Sequence, residues 1–246
     1  MEPEFPLVGM AKEQQRLSAA SRNGEPLLLL GPRGCGKTRL IKETFRGPGK
    51  CLYVAWEPTL HGLLVAISRV LIAAGHSGFL DRAKPGVEPD AWLSEQTSIH
   101  LKGLLWSALE SVPVPLVLDG ISGAGFPTYR FFQRIHHTPG MALFAASRDA
   151  ANLGALRRLF WDPRRMLNVA PLNDLNAAQL FDIAADHFKL RNLELDEFRE
   201  KALESANGNP GLIIEMCRLA MQPQYLSGRH VKFAPLRIET LVKFAG

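Results

Sequence analysis

Eight consecutive residues, 31–38, have the types and spacing to hold the phosphates of a nucleoside triphosphate. They read GPRGCGKT, fit the pattern G-x-x-x-x-G-K-[ST], and stand between a short apolar run and a predicted helix. Gly31, Gly34 and Gly36 would let the backbone curl so that N–H groups point at phosphate oxygens, and the following helix adds its positive N-terminal end. Lys37 would neutralise the β- and γ-phosphates, and Thr38 would offer a hydroxyl to Mg²⁺. A glycine-rich turn with a chance lysine is the alternative. The candidate nucleotide contacts are Gly31, Pro32, Arg33, Gly34, Cys35, Gly36, Lys37, Thr38 and Arg39.

Cys35 lies inside this segment, which we call the GPRGCGKT loop. Its thiol would act as a redox switch if the helix end lowered its pKa. In the simpler interpretation its backbone N–H binds phosphate and its side chain has no role.

Asp119 is the second chemical candidate. It ends the apolar run PLVLD, and ligands of parallel α/β sheets bind at the carboxyl ends of the strands. A carboxylate there can hold the water shell of Mg²⁺, so Thr38 and Asp119 are the predicted metal contacts. The alternative is an aspartate that only begins a turn before Gly120.

The predicted elements alternate between strands and helices up to about Pro171. That alternation is typical of a parallel sheet with helices on both faces. The strands are predicted at 26–30, 51–56, 115–119, 141–146 and 166–170, with helices at 37–46, 94–110 and 127–137 among those between them. Three further helices follow, at 176–190, 196–206 and 210–221. We therefore predict an α/β core over 1–171, a small helical domain over 172–221 and a tail without clear period over 222–246.

Composition restricts the partners and the compartment. The 246 residues are 46% hydrophobic and carry a net charge of +5, which favours anionic partners such as nucleotide, nucleic acid or an acidic protein face. Three cysteines form no metal-binding spacing, and no disulfide framework is expected. The N-terminal segment lacks the pattern of a signal peptide, and the most apolar stretch, 60–75, is too short to span a bilayer. These features predict a cytoplasmic protein that does not enter a membrane.

The order of these motifs resembles that of the AAA+ ATPases and their relatives, the signal-transduction (STAND) ATPases. The resemblance covers about 6–221. It implies a P-loop core with strand order 5-1-4-3-2, a helical lid, and ATP and Mg²⁺ as cofactors bound between core and lid.

Further site residues follow from the resemblance. The segment LVGMAKEQQRL is similar to the opening segment of the family, which implies Val8 near the adenine, although Met10 stands where arginine is common. Arg148, in FAASRD, matches the arginine that STAND proteins often carry after the fourth strand. Pro210, in NGNPGLI, matches the lid signature, and an ordinary helix-start proline is the alternative.

Arginines crowd the segment before the fifth strand, where AAA+ proteins present an arginine finger to a neighbour's nucleotide. Arg164 and Arg165 are the candidates for such a finger, which places fixed positive charge against the transferring phosphoryl group. A solvated basic face is the alternative.

Gly120 departs from the family pattern, because most of these ATPases follow the aspartate with an acid that polarises water. The NACHT branch has Asp-Gly followed by acids, but here Ser122 and Gly123 occupy those positions. Glu57, which ends the second strand, is the candidate substitute, since RecA-like ATPases place their catalytic glutamate at a corresponding strand end. The alternative is a strand-end glutamate before a proline turn.

These features predict an ATP-dependent switch that hydrolyses ATP slowly and whose nucleotide state controls association with a protein partner or with further copies. Two alternatives stay open at this point. One is a DNA-associated ATPase of the transposition or replication-initiation kind. The other is a binding module that never hydrolyses nucleotide.

Overall fold

The protein is described here by a computed structural model covering residues 5–47, 49–78, 80, 88–112, 114–138 and 141–245. The chain divides into two compact units. The sheet unit comprises Glu13–Gly31 and Ile41–Asn168. The helical unit comprises the described parts of Met1–Lys12, Pro32–Leu40 and Val169–Gly246.

A five-stranded parallel sheet forms the centre of the sheet unit. Its order is β2-β3-β4-β1-β5, which confirms the predicted order 5-1-4-3-2 read from the other edge. Because the inner strands are covered on both faces, they read as continuous apolar runs. The strands are β1 (Leu27–Leu30), β2 (Leu52–Ala55), β3 (Leu116–Asp119), β4 (Leu143–Ser147) and β5 (Met166–Asn168).

Helices surround this sheet. Their apolar faces pack with β2, β3 and β4 into one core that includes Phe131, Phe132 and Phe160, all almost fully buried. No helix within the described ranges is long and apolar enough to cross a bilayer. The helices up to β4 are α1 (Ala11–Arg22), α2 (Lys37–Thr44), α3 (Leu60–Ala73), α4 (Pro89–Glu95), α5 (Ser98–Glu110) and α6 (Phe126–His136).

Side-chain caps decide where two of these helices begin. Thr59 caps α3 by accepting a hydrogen bond from the Gly62 N–H at 3.1 Å. One helix was predicted over 94–110, but the chain breaks it after α4. The Thr97 hydroxyl accepts from the His100 N–H at 3.3 Å and starts α5 afresh.

Short 3₁₀ helices connect β4 to β5. The longer one, Ala151–Phe160, is kinked at Gly154, whose φ is +55°. The shorter one, Pro163–Arg165, is capped by Asp162.

The helical unit contains the three helices predicted after Pro171 and a structured tail. The tail forms a small antiparallel hairpin and a final helix that packs on the helix Pro210–Ala220, whereas the sequence indicated no clear period there. The pattern is obscured because this last helix carries apolar residues on its buried side, such as Leu236, and on its exposed side, such as Ile238 and Val242. The elements are α7 (Asp174–His187), α8 (Leu195–Ala206), α9 (Pro210–Ala220), β6 (Leu226–Ser227), β7 (His230–Val231) and α10 (Phe233–Ala245).

Candidate functional site

The GPRGCGKT loop follows β1 and leads into α2, which begins at Lys37. Gly34 and Gly36 have φ of +82° and +98°, a left-handed backbone that favours glycine. Left-handed residues within such a turn build the concave row of N–H groups that binds anions. The Leu40 N–H donates to the Gly36 carbonyl at 2.8 Å, so the regular helix starts directly after the turn.

Lys37 folds back over its own loop. Its Nζ donates to the Pro32 carbonyl oxygen at 3.0 Å and lies 3.6 Å from the Cys35 Sγ. The Cys35 side chain is 2% exposed, so its thiol faces the protein interior. Thr38, the second residue of α2, is exposed, and Arg39 is half-buried.

The start of α9 is hydrogen-bonded to the GPRGCGKT loop within the helical unit. The Asn209 side-chain amide donates to the Arg33 carbonyl at 2.9 Å, and the Gly211 N–H donates to the Gly34 carbonyl at 2.9 Å. A Cβ added at Gly34 would lie 2.5 Å from Phe244 Cε1 and 2.6 Å from Asn209 Oδ1. The loop is therefore closely covered on this side, and glycine is required at position 34 by space as well as by φ.

Pro210 is the first residue of α9, and Asn209 caps the helix by accepting from the Gly211 and Leu212 N–H groups. The sequence analysis named Pro210 but missed Asn209 and Phe244. An asparagine before a helix-start proline is a recognisable cap signal. No sequence signal points to Phe244, which reaches the loop from the end of α10.

The opening segment of the chain also contacts the loop. A Cβ at Gly36 would lie 2.8 Å from the Met10 Cε, and Met10 is buried. Met10, the departure from the family pattern, therefore fills space against the glycine before Lys37. Val8, two residues earlier, is half-buried.

Asp119 ends β3 and is held by the neighbouring strand β2. The Tyr53 hydroxyl donates to Asp119 Oδ2 at 2.6 Å, and the Trp56 N–H donates to the Asp119 carbonyl oxygen at 2.8 Å. The Lys42 Nζ lies 5.4 Å from the centre of the Tyr53 ring. Sequence reasoning missed Tyr53, because only the strand register brings it to Asp119.

The loop after Asp119 is fixed by side chains from two strand ends. The Trp56 Nε1–H donates to the Ser122 carbonyl at 2.8 Å, and the Ser147 hydroxyl donates to the Ile121 carbonyl at 2.9 Å. Gly120 has φ of +81°, so the chain needs glycine at the position where related sequences carry an acid.

Glu57 is exposed just beyond the end of β2. Its Oε2 lies 3.6 Å from the place that a Cβ at Gly62 would occupy, so the carboxylate is beside the first turn of α3. A negative charge is stabilised at that end of a helix. Arg148 follows β4, and its carbonyl accepts a hydrogen bond from the Gly31 N–H at 3.2 Å.

Arg164 and Arg165 both contact side chains of the sheet unit. The Arg164 Nη2 is 2.8 Å from Asp162 Oδ2, and the hydrogen bonds from Arg164 lower the pKa of Asp162. The Arg165 Nη1 lies 3.3 Å from His136 Nε2. Burial lowers the pKa of His136, and the charge of Arg165 lowers it further.

The donor types match a phosphate–magnesium ligand. The glycine turn and Lys37 offer N–H groups and positive charge, while Thr38 and Asp119 offer the hard oxygens that Mg²⁺ prefers. Within the described ranges no three or more His, Cys, Asp and Glu side chains form a metal-binding group. Mg²⁺ retains several waters and needs few protein ligands, so a hydroxyl or a carboxylate of these types suits it better than a transition metal.

No family model and no curated protein matches the sequence. Solved structures do match it. A STAND protein with a tetratricopeptide repeat sensor from Pyrococcus horikoshii is 17% identical, with a TM-score of 0.56 over 98% of this chain and 33% of that one. The Orc1 protein of Aeropyrum pernix in complex with DNA is 16% identical, with a TM-score of 0.61 over 98% of this chain and 66% of that one.

A mutant of RuvB from Thermotoga maritima is 15% identical, with a TM-score of 0.52 over 96% of this chain and 71% of that one. All three are AAA+ P-loop ATPases. This chain has the AAA+ ATPase fold. It spans about a third of the length of the STAND protein and 66% of the length of Orc1. The GPRGCGKT loop follows β1, and Asp119 is the last residue of β3.

Proposed function

We propose that the protein is an ATP-dependent molecular switch. It binds ATP with Mg²⁺ at the GPRGCGKT loop, hydrolyses it slowly, and associates with a protein partner or further copies according to its nucleotide state. The observation that carries this proposal is the glycine turn that follows β1 and places Lys37 at the first position of α2.

Each residue type has a separate task in this proposal. The backbone N–H groups around Gly34 and Gly36 bind phosphate oxygens, and Lys37 neutralises the β- and γ-phosphates. Thr38 and Asp119 would hold Mg²⁺, which neutralises phosphate charge when bound. Tyr53 keeps the Asp119 carboxylate in one orientation through its hydrogen bond.

Slow hydrolysis is proposed because no acid follows Asp119 directly. Gly120 has no side chain, and its left-handed backbone disfavours a glutamate there. Glu57 is the candidate for polarising the attacking water. If Glu57 does not polarise the attacking water, the protein is a binding module that does not hydrolyse nucleotide.

The link between the GPRGCGKT loop and α9 supports a switch rather than a passive binding site. The carbonyls of Arg33 and Gly34 accept hydrogen bonds from Asn209 and Gly211 at the start of α9. A phosphate that draws the loop N–H groups towards itself reorients the same peptide units. The start of α9 would therefore respond to the number of phosphates bound.

A DNA-associated ATPase is a second candidate. Arg130 and Arg158 favour it, since both are exposed and neither has a carboxylate within ion-pair distance in the described part of the chain. The structural similarity to an Orc1 protein in complex with DNA concerns the fold alone.

Hydrogen exchange compared between the ATP–Mg²⁺ and ADP–Mg²⁺ states tests the switch without a known partner. The proposal expects different protection of the amides of the GPRGCGKT loop and of the first turn of α9, with α5 as an internal control. Identical exchange in both states, after calorimetry has shown that both nucleotides bind, would contradict the switch and favour the binding module.

A further inference from the structure

An exposed cluster of arginines and aromatic rings lies where α6 packs against the Ala151–Phe160 helix. We define this arginine–aromatic surface as Phe126, Tyr129, Arg130 and Arg158. Phe126 is 45% exposed, and two guanidinium groups lie near its ring. The Arg130 Cζ is 5.2 Å and the Arg158 Cζ 5.3 Å from the centre of that ring, and Arg158 is also 5.9 Å from the Tyr129 ring centre.

Within the described ranges, the charge of this surface has no carboxylate counterion. Over the described ranges, neither Arg130 nor Arg158 has an Asp or Glu within ion-pair distance. Other arginines of the same unit are paired: Arg46 with Glu43 at 3.3 Å, and Arg69 with Asp90 at 2.7 Å. The two unpaired guanidinium groups stack on rings and leave their N–H edges open to an anion.

Backbone contacts fix this surface in place. The Gly123 N–H donates to the Asn152 carbonyl at 2.7 Å, and the Ala155 N–H donates to the Ala124 carbonyl at 2.8 Å. A Cβ at Gly154 would lie 2.4 Å from the Ala124 oxygen, so only glycine permits this approach. The backbones of the two elements that carry the rings and the arginines are therefore held against each other.

We propose that the arginine–aromatic surface binds single-stranded nucleic acid. Two guanidinium groups suit successive backbone phosphates, and the exposed part of the Phe126 side chain suits an unpaired base. A duplex would hide its base faces from this ring. An acidic protein segment would satisfy the arginines but would leave the exposed ring without a role, so the combination favours a strand that carries both phosphates and bases.

The surface continues into the loop that follows Asp119. Two carbonyls of that loop, those of Ile121 and Ser122, accept the hydrogen bonds from Ser147 and Trp56. Phe126 therefore follows, along the chain, a loop whose first residues these hydrogen bonds hold. Binding of the strand itself requires no nucleotide, so the inference goes beyond the ATP switch and does not rest on it.

Fluorescence anisotropy tests the proposal on the whole chain without ATP. The two probes are a labelled 20-nucleotide oligo-dT strand and an abasic strand of equal length. Phe126→Ala should weaken oligo-dT binding about 5- to 150-fold, the range for loss of one stacked base, and leave abasic binding unchanged. The double variant Arg130→Ala/Arg158→Ala should weaken binding of both strands. It should also reduce the slope of log K against log salt by about 1.4, since two phosphate contacts are lost.

The double variant Arg46→Ala/Arg69→Ala is the matched control, because it removes the same charge at arginines that already have carboxylate partners. It should bind both strands as the wild type does. Circular dichroism should show native folding for each variant, since all the substituted side chains are exposed. Lys37→Ala should retain strand binding, which separates this proposal from the ATP switch.

Three results would overturn the proposal: no binding of oligo-dT by the wild type, wild-type affinity in Phe126→Ala, or equal losses in the control and the Arg130→Ala/Arg158→Ala variant. A different result would assign the surface to an acidic protein instead. In that case oligo-dT does not bind, whereas polyglutamate binds the wild type and binds the Arg130→Ala/Arg158→Ala variant more weakly.

Discussion

The Tyr53 hydroxyl donates a 2.6 Å hydrogen bond to Asp119 Oδ2 across the pair β2–β3. In the strand register Tyr53 pairs with Val117, and Asp119 pairs with Ala55. The hydroxyl therefore reaches diagonally towards the strand end and holds the carboxylate that is proposed to serve Mg²⁺. A residue of β2 thus orients a site residue of β3.

Tyr53→Phe is expected to weaken the effect of Mg²⁺ on ATP affinity while ATP binding without Mg²⁺ stays unchanged. The ring contact with Lys42 remains, whereas the hydrogen bond to Asp119 is lost. The variant should also lower the free energy of unfolding by about 1 kcal/mol, since the pair is half-buried and its hydrogen bond is to a charged group. Calorimetry with and without Mg²⁺ measures the effect on ATP affinity, and urea unfolding measures the effect on stability.

Tyr129→Phe is the control for stability. An equal effect of Mg²⁺ on ATP affinity in wild type and Tyr53→Phe would show that Tyr53 does not orient the metal site.

Gly154→Ala and Gly103→Ala should change stability in opposite directions. A Cβ at Gly154 meets the Ala124 carbonyl oxygen at 2.4 Å on a left-handed backbone, so this substitution should destabilise the protein by at least about 2 kcal/mol. Gly103 lies in α5 with nothing within 4 Å of its Cβ position, so alanine there should stabilise by about 0.5–1 kcal/mol. Urea unfolding of both variants measures the difference. A Gly154→Ala protein as stable as wild type would contradict the close packing of the two backbones.

The sequence indicated the main elements because their signals are local. Apolar runs, a glycine-lysine motif and helix caps each depend on a few neighbouring residues, and the strand order came with the family resemblance. The contacts of Asp119 and of the GPRGCGKT loop could not be read in this way. Tyr53 reaches Asp119 across 66 positions, and Asn209 reaches Arg33 across 176.

Other differences arise where two local signals compete. Residues 94–110 have helical composition throughout, but the cap at Thr97 divides them. The sequence of the tail shows no helical period, because α10 carries apolar residues on its buried and exposed sides alike. From the sequence alone, Gly120 is only the position at which the acid of the family pattern is missing. The structure adds a reason for glycine there, because the turn has a left-handed backbone at this residue.

Glu57→Gln is expected to stop residual ATP hydrolysis and to leave ATP affinity intact. The substitution keeps the shape of the side chain and removes the charge that would polarise water. Wild-type turnover should itself lie far below the roughly 1–10³ per second of typical enzymes. A phosphate-release assay measures both, with Glu95→Gln, another exposed glutamate, as control. If Glu57→Gln hydrolyses ATP at the wild-type rate, Glu57 only stabilises the first turn of α3.

Turnover per molecule should rise with protein concentration if an arginine of one copy completes the site of another. Arg164→Ala and Arg165→Ala should then lower turnover and leave ATP binding nearly unchanged. Asp162→Asn should raise the contribution of Arg164, because the ion pair that holds its guanidinium within its own chain is weakened. A rate strictly proportional to concentration, for a protein that light scattering shows to be monomeric, would rule out an arginine supplied in trans.

Isothermal titration calorimetry of ATP with Mg²⁺ into wild type, Lys37→Ala and Lys50→Ala tests the central claim most directly. Lys50→Ala removes the same charge from an exposed position outside the GPRGCGKT loop and should bind ATP as the wild type does. Lys37→Ala should show no measurable binding and a native circular dichroism spectrum, because the loss is of phosphate neutralisation and not of folding. Wild-type ATP affinity in a folded Lys37→Ala protein would contradict the assignment of the GPRGCGKT loop as the nucleotide site.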